Sequence, residues 1–279
     1  MDFLIARPLV GPHFSVEKAR MNIRWPILCL TLVSFDGLAC DRPLRAGLLE
    51  EGALYNSTTG IGIDKDVMTE LSRRLDCPVV TSTEPRVRQW RALADGQLDM
   101  MSGARSTPER EKFAAFMPYL KGSPVTVART GISRLSASEF IVNRSLRLGI
   151  VRGYSYGPRL DQIIGELQAG GDRIVEVSTA DQLVGLLRTG RIDAFLSLPT
   201  VMGQWRDIEQ IARQIDWVPQ ETPTVGGLAV SRETLTPEEH AGIAKALTDL
   251  QADGTLKAIL YRHLAPEIAD LLLLNPPTN

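Results

Sequence analysis

The sequence predicts an α/β protein made of two lobes of like topology, each a mostly parallel sheet flanked by helices. Three observations carry this expectation. Strand-like and helix-like stretches alternate along most of the chain, the pattern that covers a parallel sheet with helices. A pattern also returns in the same order. Leu93-Ala94-Asp95-Gly96-Gln97-Leu98-Asp99 is echoed by Leu187-Arg188-Thr189-Gly190-Arg191-Ile192-Asp193, and Leu44-Arg45-Ala46-Gly47 by Leu146-Arg147-Leu148-Gly149. Finally, two extended apolar segments, residues 119–129 and 226–231, are suited to carry the chain between lobes and back. Lobe 1 is therefore expected from residues 40–124 and 228–279, and lobe 2 from residues 125–227.

At 279 residues, 44% hydrophobic and 23% charged, the chain has enough apolar material for a substantial core. A net charge of −2 provides no basic field for nucleic acid. The histidines (His13, His240, His263) are scattered, and no Cys/His spacing matches a metal site, so neither metal nor cofactor is expected.

The beginning of the chain carries an export pattern. Met21-Asn22-Ile23-Arg24 precedes a short apolar run from Trp25 to Phe35, and then Gly37-Leu38-Ala39. Residues 21–39 are read as a signal peptide cleaved after Ala39, and residues 1–20 as an upstream extension. A second reading has Cys40 lipidated, although Gly37 stands where such signals usually have Leu. The expected compartment is the periplasm, where thiols oxidise. Cys29 leaves with the leader, and Cys40 and Cys77 remain. They flank a strand–helix–strand unit whose handedness brings both to one sheet edge, so a disulfide is expected.

In order, Leu44 to Leu49 forms the first strand, and a loop with Gly52, Tyr55, Asn56 and Gly60 follows. Asp64 is expected to cap a helix whose Val67, Met68, Leu71 and Leu75 share a face. Pro78 to Thr81 is a strand, and Trp90, Leu93 and Leu98 mark a further helix and strand, with Gly96 as the helix stop. Next comes Met101-Ser102-Gly103-Ala104-Arg105-Ser106-Thr107-Pro108-Glu109-Arg110. A strand end is expected to open there into a helix, with Thr107 as N-cap and Pro108 in the first turn. Such a start offers backbone N–H groups to an anion, and Arg110 adds a planar fork that matches a carboxylate. A last helix is capped by Thr236-Pro237-Glu238-Glu239 and runs through Ile243, Ala246, Leu247 and Leu250.

These residues resemble an amino-acid-type periplasmic solute-binding protein of ABC transporters, extracellular family 3. The resemblance runs from Leu44 to about His263. It rests on Gly62-Ile63-Asp64-Lys65-Asp66-Val67, Gly103-x-x-x-Thr107-Pro108-Glu109-Arg110, Phe116-x-Pro118-Tyr119, Leu148-Gly149-Ile150-Val151-Arg152-Gly153-Tyr154-Ser155 and Gly190-Arg191-Ile192-Asp193-Ala194. It implies the type II periplasmic-binding-protein fold with two crossover strands as hinge, and ligand trapped between the lobes. The family's carboxylate-binding Arg maps onto Arg110, with neighbouring contacts from Ser102 and Gly103. The covering aromatic maps onto Tyr55, and the second-lobe loop onto Arg152, Tyr154 and Ser155.

Two departures matter. The acid that receives an amino group in the family corresponds to Leu198, and Asp193 is structural. Arg86 and Arg105 stand near the pocket, where they face an anionic ligand or else pair with Glu50, Glu51 or Glu84. The expected function is capture of a small carboxylate-bearing, anionic or amino-acid-like solute by a monomer that delivers it to a membrane permease. The alternatives are a signalling receptor and an exported dehydratase-like enzyme. Catalysis needs an acid or histidine in the cleft, and only Glu50 and Glu51 are near, so no enzyme activity is expected.

Overall fold

A computed structural model describes residues 40–198, 200, 208–219 and 223–274. The expected leader and the extension before it lie outside the described residues, which contain no helix long and apolar enough to cross a membrane.

The first lobe holds a five-stranded sheet in the order β2-β1-β3-β10-β4. Its strands are β1 (Leu44–Gly47), β2 (Val79–Ser82), β3 (Met100–Ala104), β4 (Ala114–Lys121) and β10 (Val225–Ser231). The second holds β5 (Val125–Arg129), β6 (Leu148–Val151), β7 (Ile174–Val177), β8 (Ala194–Ser197) and β9 (Ala212–Ile215), in the order β7-β6-β8-β5-β9. In each sheet three strands are parallel, and a crossover strand (β10 or β5) runs antiparallel to its two neighbours. β10 joins the first sheet from Val225, where it pairs with Lys121, slightly before the expected boundary at residue 228.

The recurring pattern has a physical basis. Asp99 accepts the backbone N–H of Arg45 at 2.7 Å, and Asp193 accepts that of Arg147 at 2.9 Å. Each Asp thus ties the entry of one parallel strand to the start of the next. Asp99 also accepts Arg42 and Arg45 side chains, and these contacts hold its carboxyl far below the ordinary range against the opposing effect of burial. Gly96 and Gly190, both at φ 68, reverse the chain just before each Asp.

The helices α1 (Ile63–Leu75) and α2 (Arg86–Ala94) belong to lobe 1, and α3 (Ala137–Val142), α4 (Pro158–Ala169) and α5 (Ala180–Arg188) to lobe 2. The chain then returns to lobe 1 with α6 (Pro237–Ala252), α7 (Thr255–His263) and α8 (Pro266–Leu272). α6 starts with the expected cap: Thr236 Oγ1 accepts the Glu239 N–H at 3.1 Å, and the Glu239 carboxylate accepts the Thr236 N–H. Val67, Met68 and Leu71 of α1 share a core with Ile243, Leu247 and Leu250 of α6 and with Leu256 and Leu260 of α7. The expected disulfide between Cys40 and Cys77 is present, with Cα atoms 5.5 Å apart.

Two local expectations are corrected. α1 starts after Gly62 without a side-chain cap, and Asp64 lies inside the first turn, fully buried. The helix expected from Thr107 is only a 3-10 turn over Arg110–Lys112. β4 begins at Ala114 opposite Ser231 of β10, which leaves room for a single turn before strand pairing takes over.

Candidate ligand-binding cleft

The cleft lies where the lobes meet. Lobe 1 contributes the end of β3, Arg105, Arg110 and the first turn of α2, and lobe 2 contributes the loop after β6 and Leu198 after β8. The cleft holds about 760 Å³ of space, part of it continuous with solvent.

Arg110 spans the seam. Its Nη1 donates to the Arg105 carbonyl at 3.0 Å, and its Nη2 to the Gly153 carbonyl of lobe 2 at 2.9 Å. Its guanidinium lies 4.1 Å over the Trp90 ring, and Trp90 Nε1 donates to the same Gly153 carbonyl at 3.3 Å. Gly153 has φ 82, and a Cβ there would sit 2.9 Å from Val87 of α2, so a side chain would hold the lobes apart. Partial burial, with Arg105 nearby, brings the Arg110 pKa down to about 10, which leaves it charged at neutral pH.

Arg86 is buried rather than turned to solvent. It donates to Gln89 Oε1, the Ser102 carbonyl and the Gly103 carbonyl, each at 2.9 Å, and its guanidinium lies 4.9 Å from the centre of the Trp90 ring. Burial lowers its pKa to about 10. Arg86 lines the cleft from the start of α2 with its charge held by backbone carbonyls. Arg105 lines the cleft, as do Gly103, Tyr154 and Ser155. Gly103 has φ 58, and a Cβ there would collide with Leu49, so only glycine fits this strand end.

The other expected residues have partners of their own. Ser102 is fully buried, and its Oγ accepts the Leu49 N–H at 3.0 Å. Arg152 is exposed and donates to Glu176 at 2.8 Å. Ser155 Oγ donates to Asp161 at 2.8 Å. Tyr55 is half-buried among lobe 1 core residues and does not line the cleft.

Glu51 sits between the lobes with 2% of its surface exposed. Its Oε1 accepts Ser197 Oγ at 3.1 Å and the Leu198 N–H at 3.4 Å, both from lobe 2. Burial raises its pKa, while Tyr154, Leu198, Ser197 and Arg86 oppose the rise. Leu198, the position where an acid was sought, thus offers its backbone to a carboxylate from the opposite lobe. Nothing in the spacing around Glu50-Glu51 distinguishes this residue from a solvated loop acid.

Behind Gly103, Tyr119 donates its hydroxyl to the buried Asp64. Burial raises the Asp64 pKa to about 6, although Ser102 and Tyr119 hydrogen bonds and the charge of Arg86 favour its ionised form. A carboxyl whose pKa is higher folded than unfolded favours the folded state when protonated, so that contribution is lost as pH rises from about 4 through about 6. Asp64→Asn is expected to flatten this part of the stability profile, by on the order of 2 kcal/mol. Urea unfolding from pH 4 to pH 7 measures it, and an unaltered profile contradicts the assignment.

A family model described as "Bacterial extracellular solute-binding proteins, family 3" matches residues 52–266. Among solved structures, the solute receptor for L-cysteine of Neisseria gonorrhoeae is similar at TM-score 0.70 and 16% identity, covering 84% of this chain and 96% of that one. The arginine-, lysine-, histidine-binding protein ArtJ of Geobacillus stearothermophilus is similar at TM-score 0.69 and 17% identity, covering 82% and 99%. The ancestral amino acid-binding protein AncCDT-1, described as a precursor of cyclohexadienyl dehydratase, is similar at TM-score 0.66 and 19% identity, covering 79% and 95%. No curated protein matches the chain.

Proposed function

The chain belongs to the bacterial extracellular solute-binding proteins, family 3, and from this premise we propose that it captures a small carboxylate-bearing, amino-acid-like solute between its lobes for ABC-type uptake. The carrying observation is Arg110, a charged fork at the lobe seam with Arg105 beside it in the cleft wall. A ligand carboxylate here meets charge-assisted donors while touching both lobes, so it favours the closed form over the open one. In this reading Arg110, Gly103, Arg105, Tyr154 and Ser155 form the contact set. Arg86 and Ser102 shape the wall, and Arg152 and Tyr55 contribute from outside it.

The protein works outside the cytoplasm, as a monomer that docks on a membrane permease. The Cys40–Cys77 bridge supports leader cleavage over lipidation, since a sulfur in a disulfide has no valence left for a lipid thioether. Isothermal titration against amino acids and dicarboxylates tests the reading: binding to at least one is expected, and silence from all contradicts it.

A second reading, an exported dehydratase-like enzyme, is favoured by one observation. Glu51 is a buried carboxyl with a raised pKa beside the cleft, the kind of group that serves as a general acid. Conversion of a dehydratable carboxylate that is abolished in Glu51→Gln would support it, and unchanged substrate would exclude it.

A further inference from the structure

The cleft has a second end, remote from Arg110. In the first sheet Ala104 of β3 pairs with Gly227 of β10, which pairs in turn with Pro118 of β4, and Gly226 pairs with Leu120. Two strand spacings, roughly 10 Å, therefore separate the charged end from the end of β4. That distance suits a molecule with one carboxylate and a body of several carbon atoms.

The wall at this far end comes from the C-terminal helix. Leu272 of α8 lines the cleft with 4% of its surface exposed. A Cβ at Gly122 would lie only 3.0 Å from Leu272 Cδ2, so the leucine rests directly on the start of the crossover. An antiparallel bridge between Leu120 and Leu273 pins the end of α8 to β4. Leu54, Leu120 and Tyr119 also line the cleft, and the Tyr119 hydroxyl is already donated to Asp64. Gly226 and Gly227 present no side chain to the floor, and a Cβ at Gly227 would strike the Met117 carbonyl, so position 227 cannot carry a polar side chain.

We propose that Leu272 is a specificity-determining residue, closing an apolar subsite that receives the uncharged hydrocarbon or aromatic body of the carboxylate ligand. The proposal rests on the capture reading above. Burying such a body against these leucines is favourable, whereas a cationic group there would lose its hydration with no acidic residue among the described residues of the lining to pair with. Lys121 also reaches this end, so a second carboxylate directed to it is the competing outcome.

The test is isothermal titration of the full exported chain with L-leucine, L-phenylalanine, L-alanine, L-glutamate and L-arginine. The proposal expects L-leucine or L-phenylalanine to bind tightest, by roughly tenfold over L-arginine and L-glutamate. Leu272→Trp should fill the subsite and weaken the large apolar ligands while leaving L-alanine unchanged. Leu272→Ala should relax the limit on size. L-arginine or L-glutamate binding tightest overturns the proposal, and so does an equal loss for all ligands in Leu272→Trp with an unchanged melting temperature. Silence from every carboxylate overturns the capture reading itself, whereas binding with the wrong preference overturns only the role of Leu272.

Discussion

Arg110→Ala is expected to weaken ligand capture by roughly 30- to 1000-fold, about 2–4 kcal/mol. Two losses combine. The ligand carboxylate loses a charged fork, and the lobes lose the Nη2 contact to the Gly153 carbonyl that joins them. Arg110→Lys should restore only part of the affinity, since an ammonium cannot reproduce a planar fork that reaches Arg105, Gly153 and the ligand while stacked on Trp90. The fold should survive, because Arg110 is only partly buried and lies in a single 3-10 turn. Titration calorimetry together with a thermal melt separates these effects: lost affinity with a retained melting temperature is expected.

Removing the Cys40–Cys77 bridge by a double replacement with serine is expected to cost about 3–4 kcal/mol, given a closed loop of 37 residues. For a chain of this size that is a drop of roughly 10 °C in melting temperature. The bridge joins the strand entry to the end of α1, so its loss frees the amino-terminal edge of the first sheet while leaving the cleft residues in place. The same drop should follow reduction with dithiothreitol. A melting temperature indifferent to both treatments contradicts a bridge in the folded protein.

Much of the architecture was legible because it depends on local patterns with strong physical causes. The Gly-then-Asp signature in both halves marks a chain reversal followed by a carboxylate that fastens two parallel strands, and Asp99 and Asp193 do the same work in their respective lobes. The Thr236–Glu239 cap was readable for the same reason: its hydrogen bonds close within one helical turn. Where local chemistry competed with sheet pairing, pairing won. Thr107 and Pro108 carry good helix-start chemistry, but the ladder between β4 and β10 leaves no length for a helix.

The site was legible in part. Arg110 and Gly103 line one cleft with the second-lobe loop of Gly153, Tyr154 and Ser155. Arg86 could not be placed from the sequence, since its partners are backbone carbonyls that any residue could supply. Glu51 was hidden for a similar reason: its partners belong to the other lobe, nearly 150 residues away in the chain. Leu272 was invisible because α8 lies beyond the last helix that the periodicity marked, and its contact with the hinge is wholly tertiary.

The measurement that bears most directly on the cleft is mass spectrometry of the small molecules released by denaturing the protein purified from its native host. With Arg110 in place, one carboxylate anion should be released in near-stoichiometric amount, and from Arg110→Ala, purified in parallel, that species should be missing. The same molecule recovered equally from both proteins would contradict the role given to the guanidinium at the seam between the lobes.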